Sequence, residues 1–550
     1  MDRLSQNGTL RTLTIGVLLL GLVIAPAGCF TEETNAPYYG RVAVRPAQDF
    51  RWIDGGLPQT FDPAFAAAPP DTDAVRAIFE GLTEYDPKTL SPVPAVATRW
   101  ESSQEGRVWT FYLRDDARWS NGEKVRASDF VESWQRTMKI GELAPHTDLL
   151  RNIKGSDTIL TAESDDPLGV QAIGDRVLRV HLRLPDLNFP GLVAHPVFRP
   201  VKLNSDETLK KISSTDLVSN GAFHLVENQG DRVVLKRAEH YWAKDEVSLE
   251  QVEFVEAKNP EAALAAYRAG EVDAVTNSPF EPLALKLLAP YEDFRRETYG
   301  ALTYYSFNTA NEPFDDVRVR EALAIAIDRD RLTQDQMGGA TEPAKRFLPE
   351  AMSGSKVVVD KSELLEKDYE RAKKLLADAG FPDGDGFPKV RLLINRNEQQ
   401  RIVAQSIAEM WRAVLGIETD IIIKNWDEYE AAITAGAYDV VRRGLVMQTT
   451  DELTNLRMLF QQDTRLSEAL SSTPAQTDSS NPGGTAVSSI AAPTSEAEAL
   501  SELKAVPLYF ASSYALVKPY VKGFDTNVLD APLLKRVQIN TEWRPPTADR

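Results

Sequence analysis

The chain has 550 residues, 43% hydrophobic and 26% charged, too long for one ordinary core and consistent with two or more lobes. Its 81 acidic against 62 basic residues give a formal charge of −19, which argues against nucleic acid as a partner, since phosphate binding needs a basic footprint. The one cysteine, Cys29, excludes an intrachain disulfide and a cysteine-built metal site.

At the start of the chain, Arg3 and Arg11 precede the apolar run Leu13–Ala25, which is broken by Thr14, Gly16 and Gly21. The run falls short of the ~20 residues of a membrane span and suits the core of a signal peptide. Ala27-Gly28-Cys29 resembles the lipobox of bacterial lipoproteins, in which the thiol is lipidated, although Pro26 stands where leucine is usual. On this reading 1–28 is a signal peptide, Cys29 the lipidation site and 29–48 a polar tether. An ordinary signal peptide with an incidental cysteine is the competing reading.

Strands and helices then intermix. Trp109, Phe111 and Leu113 alternate as on a half-buried strand, and so do Leu178, Val180, Leu182 and Leu184 up to Pro185. Asn259-Pro260 opens a helix that closes at Gly270, with an N-cap, a proline in the first turn and a terminal glycine. Tyr369–Ala379 before Gly380 and Gln399–Leu415 before Gly416 read as two more, the last followed by the β-branched run Ile421–Ile423. This mixture means α/β or α+β. Between Ser467 and Glu496 the chain is dominated by Ser, Thr, Ala, Pro and Gly, too little apolar surface to offset its ordering entropy. Regular structure is expected again from Val506.

No catalytic pattern stands out. There is no Gly-x-Ser-x-Gly elbow, no phosphate-cradling glycine loop and no His-Glu-x-x-His. The histidines His146, His181, His195, His224 and His240 are scattered, and Asp115-Asp116 and Asp165-Asp166 read as acidic turns. Asp383-Gly384-Asp385-Gly386 lacks the alternate ligands of a calcium loop. Binding is expected, without catalysis, cofactor or metal.

A series of motifs narrows the class. Pro58–Pro63 (PQTFDP), Ile78–Asp86 (IFEGLTEYD) and Trp109–Gly122 (WTFYLRDDARWSNG) come first, then Ala127–Phe130 and Ser133–Arg136. Asn220–Phe223, Ala269–Asp273, Phe307-Asn308, Pro313–Arg320, Ala324–Arg329, Ala372–Gly380 and Leu415–Ile417 follow in order, and Pro507–Tyr509 with Val517–Gly523 closes the series. Over roughly 50–460 and 504–540 the chain resembles the family-5 extracellular solute-binding proteins, nearest their oligopeptide-binding branch.

The resemblance implies an α/β fold of the two-lobed periplasmic-binding-protein type, a class II-like hinged flytrap with an extra subdomain on the first lobe. Its expected limits are 49–79 and 200–300 for the first lobe, 80–199 for the subdomain, 301–505 for the second lobe and 506–550 for a return to the first. It implies an extracytoplasmic, monomeric receptor of an ABC importer that holds an extended peptide between the lobes by strand addition and docks on membrane permease subunits. Trp426 matches a tryptophan that lines the family's side-chain pockets, with a core tryptophan as the competing reading. Arg442 sits where the family has a ligand-side arginine, with a surface strand-end charge as the competing reading. Tyr305 matches an aromatic in the second lobe's entry strand. One departure is marked. The family holds the peptide ammonium with the aspartate of Gly-Trp-x-x-Asp-Tyr, and the run here is Gly444-Leu445-Val446-Met447-Gln448-Thr449. Gln448 cannot give the charge-assisted bond, which leaves Asp451 or Glu452 as stand-ins. A first-lobe acid near the pocket is also missing, at Ala67. The alternative implied is a sensor or structural lipoprotein on the same scaffold, with degenerate peptide binding.

Overall fold

The computed structural model describes residues 37–161, 167–202, 217–352, 365–460 and 493–545. Cys29 and the signal-peptide and lipobox residues lie outside them, as do 467–492 of the low-complexity stretch.

Two long strands, Phe294–Phe307 and Ala505–Val517, organise the molecule. At 14 and 13 residues they are more than twice the usual strand of about 5–6, because each runs through both lobes. The far half of Ala505–Val517 pairs with Ala274–Thr276, and beyond it in the first lobe come Asp49–Asp54, Gln251–Val255, Arg232–Arg237 and Phe223–Gln229. The far half of Phe294–Phe307 pairs with Val440–Val446, and Val390–Asn395 and Thr419–Lys424 complete the second lobe's side. Between the lobes the ladder slips. Thr298 pairs with Ser512 and the next partners are Leu302 and Phe510.

Gly300 sits in that gap, and the chain closes on it from two sides. Its N–H donates to Val528 O at 2.7 Å, and its carbonyl accepts from Met447 N–H at 2.7 Å. A Cβ here would lie 2.8 Å from Met352 Cε and 3.1 Å from Val528 O, so only glycine admits both neighbours without displacement.

In the first lobe Phe50, Trp52, Phe254 and Phe524 pack ring against ring at 5.2–6.2 Å. The helix expected after Asn259 is Pro260–Ala269, with Asn259 Oδ1 accepting from Ala262 N–H at 2.8 Å and Gly270 at φ +76°. The expected tether needs correction at its end. Arg41 N–H donates to Arg268 O at 2.8 Å, Arg45 pairs with Asp273 at 2.5 Å, and Gln48 exchanges two bonds with Ile539 at 2.8 and 2.9 Å. Tyr39, Val42 and Val44 also pack against apolar clusters, so 37–48 belongs to the lobe.

The subdomain is a four-stranded antiparallel sheet, Ala97–Ser103, Val108–Leu113, Val177–His181 and Val170–Ile173, covered by the helix Ala127–Ile140. Phe111 and Leu178 are buried on it, as their alternation predicts. The strand ends at His181, short of the expected Pro185, because Asn152 takes over the bonding of Leu184 and that side chain is left 48% exposed. Trp119 before the Asn121-Gly122 corner is buried, and its indole donates to Asp129 Oδ2 at 3.0 Å. Arg136 reaches back to Asp62 through two bonds of 2.9 and 2.6 Å, fully buried on both sides.

In the second lobe Glu398–Leu415 and Tyr369–Asp378 are helices within a residue of expectation, and Thr419–Lys424 is the strand at Ile421–Ile423. The expected loop ends earlier than Glu496. Ser495 Oγ accepts from Glu498 N–H to cap the helix Glu496–Glu502, and the Glu496 carboxylate accepts from Leu348 N–H at 2.7 Å.

Candidate functional site

Two polar regions stand out, one on the second lobe and one where 188–195 meets 448–451. The first is a wall of the second lobe. Tyr305 and Arg442 are cross-strand partners on Phe294–Phe307 and Val440–Val446. The Tyr305 ring is buried, and burial pushes its hydroxyl well above the ordinary phenol range. That hydroxyl and Arg442 Nε are both buried with no hydrogen-bond partner among the described residues. The guanidinium makes only a 3.5 Å contact to Thr303 Oγ1 and lies over Gly444, 3.2 Å from where a Cβ would stand. Trp426 opens the helix Trp426–Thr434, capped by Asn425, and stacks on Tyr429 at 5.6 Å and 27°. The Tyr429 hydroxyl in turn donates to Arg442 O, which joins the tryptophan to the arginine strand. Trp426 is 60% exposed. Trp426 therefore presents an aromatic face to water, while the unpartnered Arg442 Nε and Tyr305 hydroxyl lie beneath the surface.

The second region is a seam between 188–195 of the subdomain and 448–451 of the second lobe. His195 Nδ1 accepts from Val197 N–H at 3.2 Å, so the neutral ring carries its proton on Nε2 and donates to Gln448 Oε1 at 3.2 Å. The His146 ring meets His195 edge-on at 4.8 Å and donates from Nε2 to Ala67 O at 2.8 Å. Burial, then His146 and the Arg76 guanidinium, push His195 well below the ordinary imidazole range, and burial lowers His146 too. Asn188 Nδ2 donates to Asp451 Oδ1 at 2.8 Å, and Asp451 Oδ2 accepts from Thr454 N–H at 2.6 Å. Burial and the Asp451 charge push Asp186 up to about 7.

The structure thus brings Tyr305, Arg442 and Trp426 together and puts Gln448 and Asp451 elsewhere. Asp451, the expected stand-in for the ammonium-binding acid, is 3% exposed with both oxygens engaged. It caps the helix that begins at Glu452 and clasps the subdomain, so it does not stand open to a ligand. Gln448, half-buried, is bonded to His195 and to Val446 O. Sequence reasoning missed His146 and His195, dismissed as scattered, along with Asn188. No local signal marks them, since their partners lie 79 to 263 residues away. Among the described residues no cluster of three or more His, Cys, Asp or Glu could hold a metal ion.

Comparison with known proteins places this architecture. The model of the bacterial extracellular solute-binding proteins, family 5 Middle, matches residues 91–466. The periplasmic oligopeptide-binding protein OppA of Escherichia coli is 31% identical over 532 residues, 94% of this chain and 96% of that one. The periplasmic murein peptide-binding protein MppA of Escherichia coli is 31% identical over 487 residues, 86% of this chain and 89% of that one. A solved structure of MppA in its unliganded open form superposes with a TM-score of 0.73 at 28% identity, covering 90% of this chain and 98% of that one. Haemophilus influenzae OppA in complex with RPPGFSPFR superposes with a TM-score of 0.61 at 26% identity, covering 90% and 100%.

Proposed function

Because the chain belongs to the family-5 bacterial extracellular solute-binding proteins, we propose that it is the peptide receptor of an ABC importer, holding an extended peptide between its two lobes. The observation that carries this reading is the second-lobe wall, where Arg442, held through one Nη by a 3.5 Å contact to Thr303 Oγ1, and Tyr305, whose hydroxyl has no partner among the described residues, stand with an exposed Trp426. A peptide's terminal carboxylate satisfies the arginine, and an adjacent side chain covers the indole. Strand addition by an extended peptide makes main-chain bonds that are indifferent to sequence. The relatives support the ligand class, since OppA and MppA are named for oligopeptide and murein peptide binding.

The Ala27-Gly28-Cys29 run supports a mature protein anchored through lipid on Cys29, outside the cytoplasm, where it meets the permease subunits. One observation favours a narrower reading of the ligand. Gln448 carries an amide and the Asp451 carboxylate is fully engaged, so neither of these two residues supplies the anchor for the peptide's amine.

Thermal unfolding with pooled di- to pentapeptides tests the proposal. Peptide at about 100 times its Kd should stabilise the protein by about 2.7 kcal/mol. An unchanged Tm with every pool would refute a peptide receptor.

A further inference from the structure

Besides the seam, a second contact joins the lobes, and the proposed binding makes no use of it. The π turn Leu332–Gln336 belongs to the second lobe, since Leu332 and Met337 lie in one apolar cluster with Val319, Leu323 and Ile407. Three residues beyond Met337, Ala340 packs against the first-lobe cluster of Ile53, Tyr267, Val275 and Leu516. The chain then turns back. Thr341–Pro343 pairs with Ala511, Phe510 and Tyr509, and Ala344 N–H donates to Leu508 O at 3.1 Å. Residues 337–343 thus form a finger of the second lobe whose tip rests on the first.

The bend and the bonds of this finger are specific. Gly338 and Gly339 take φ of +61° and +77°, a left-handed pair that other residues adopt only with strain. A Cβ on Gly338 would also lie 3.2 Å from Pro282 Cβ of the first lobe. At the tip, Ala340 O accepts from the Tyr514 hydroxyl at 2.8 Å, and Thr341 O accepts from Arg296 Nη2 at 3.3 Å. The Arg296 guanidinium also pairs with Glu342; that pair is partly exposed and adds less than the contacts beneath it. Arg296 and Tyr514 are cross-strand partners on the first-lobe halves of the two long strands, and Tyr514 stacks on Phe294 at 5.8 Å. Thr341–Pro343, by contrast, is laddered to 509–511, at and beyond the slip that follows the Thr298–Ser512 pair. The finger's bonds therefore span the place where the long ladder is interrupted.

That placement gives the finger a task. A hinge rotation at the slip would carry Ala340 with one lobe and Tyr514 with the other, changing their separation. The chain superposes better on the unliganded open form of MppA than on the peptide complex of OppA, so the bonds described belong to an arrangement nearer the open one. A contact made in one arrangement and strained in the other shifts the balance towards the first. We propose that the finger 337–343 is a clasp that holds the two lobes open, and that it lowers peptide affinity without touching the ligand. Its effect on affinity rests on the peptide-receptor proposal; its hold on the lobes does not.

The double variant Tyr514→Phe, Glu342→Gln removes the hydroxyl bond and the ion pair while keeping the shape of both side chains. Spin labels at Lys236→Cys in the first lobe and Lys374→Cys in the second, both exposed positions, read the distance between the lobes in a Cys29→Ser background. Without peptide, the clasp variant should raise the share of molecules outside the main distance peak about threefold or more. An unchanged distribution overturns the proposal. In calorimetry the same variant should bind peptide about threefold or more tightly, because a larger share of it is competent to close. An unchanged or weaker affinity overturns the effect on binding. The distance measurement needs no ligand, so a protein that binds none of the pooled peptides still shows whether the clasp holds its lobes.

Discussion

On the second-lobe wall, Arg442 Nε and the Tyr305 hydroxyl have no partner among the described residues and Trp426 is 60% exposed; in the seam, His195, Gln448, Asn188 and Asp451 are joined in cross-lobe pairs. Both regions are polar. They differ in unmet bonding capacity. A ligand atom that reaches an under-bonded guanidinium gains a charge-assisted bond at little cost, because nothing must first be displaced. A ligand atom entering the seam must break bonds already made and leave buried partners unpaired. The wall is therefore read as the binding surface and the seam as part of the scaffold.

Breaking each region in turn sharpens that contrast. Arg442→Ala should have the largest effect, weakening peptide binding by about 3 kcal/mol, roughly 100-fold by calorimetry, because the ligand carboxylate loses its cation. Asp451→Ala should do the opposite. It should destabilise the protein to urea by about 2 kcal/mol, through the lost helix cap and the stranded Asn188, and leave peptide Kd within about threefold.

The pH response separates the regions as well. His195 and His146 are held neutral, with folded-state affinities for the proton below the usual imidazole value of 6.5. The seam's contribution is thus present above that value and lost as pH falls beneath it. Between about pH 7 and pH 5 the protein should lose about 1–2 kcal/mol more than His195→Gln does, and equal losses would show that the seam does not bury neutral histidine. The smallest effect is expected at Trp426→Ala, about 1 kcal/mol in peptide affinity with stability within about 0.5 kcal/mol, since the ring is exposed until a ligand covers it.

What could be read in the sequence follows from the range of each interaction. Asn259-Pro260 and Gly270 bracket a helix because capping is local, and Trp109, Phe111 and Leu113 mark a strand because the pleat repeats every two residues. The ordered motifs carried the family, and Tyr305, Arg442 and Trp426 follow from it as a proposal. The seam was not legible, because His195 meets Gln448 across 253 residues and neither neighbourhood hints at the other. Gln448 read as a lost ammonium anchor, and its bond to His195 shows what holds it in place. The same limit applied to Asp451, whose burial between Asn188 and Thr454 depends on the packing of two lobes. Residues 37–48 read as tether because their bonds go to Arg268, Asp273 and Ile539.

The unaltered protein and one tight-binding peptide test the central claim most directly. Calorimetry would compare that peptide with its C-amidated and N-acetylated forms. If the wall grips the ligand through a terminal carboxylate and the seam grips no amine, amidation should weaken binding roughly 100-fold and acetylation less than about threefold. A large loss on acetylation with amidation tolerated would contradict the account.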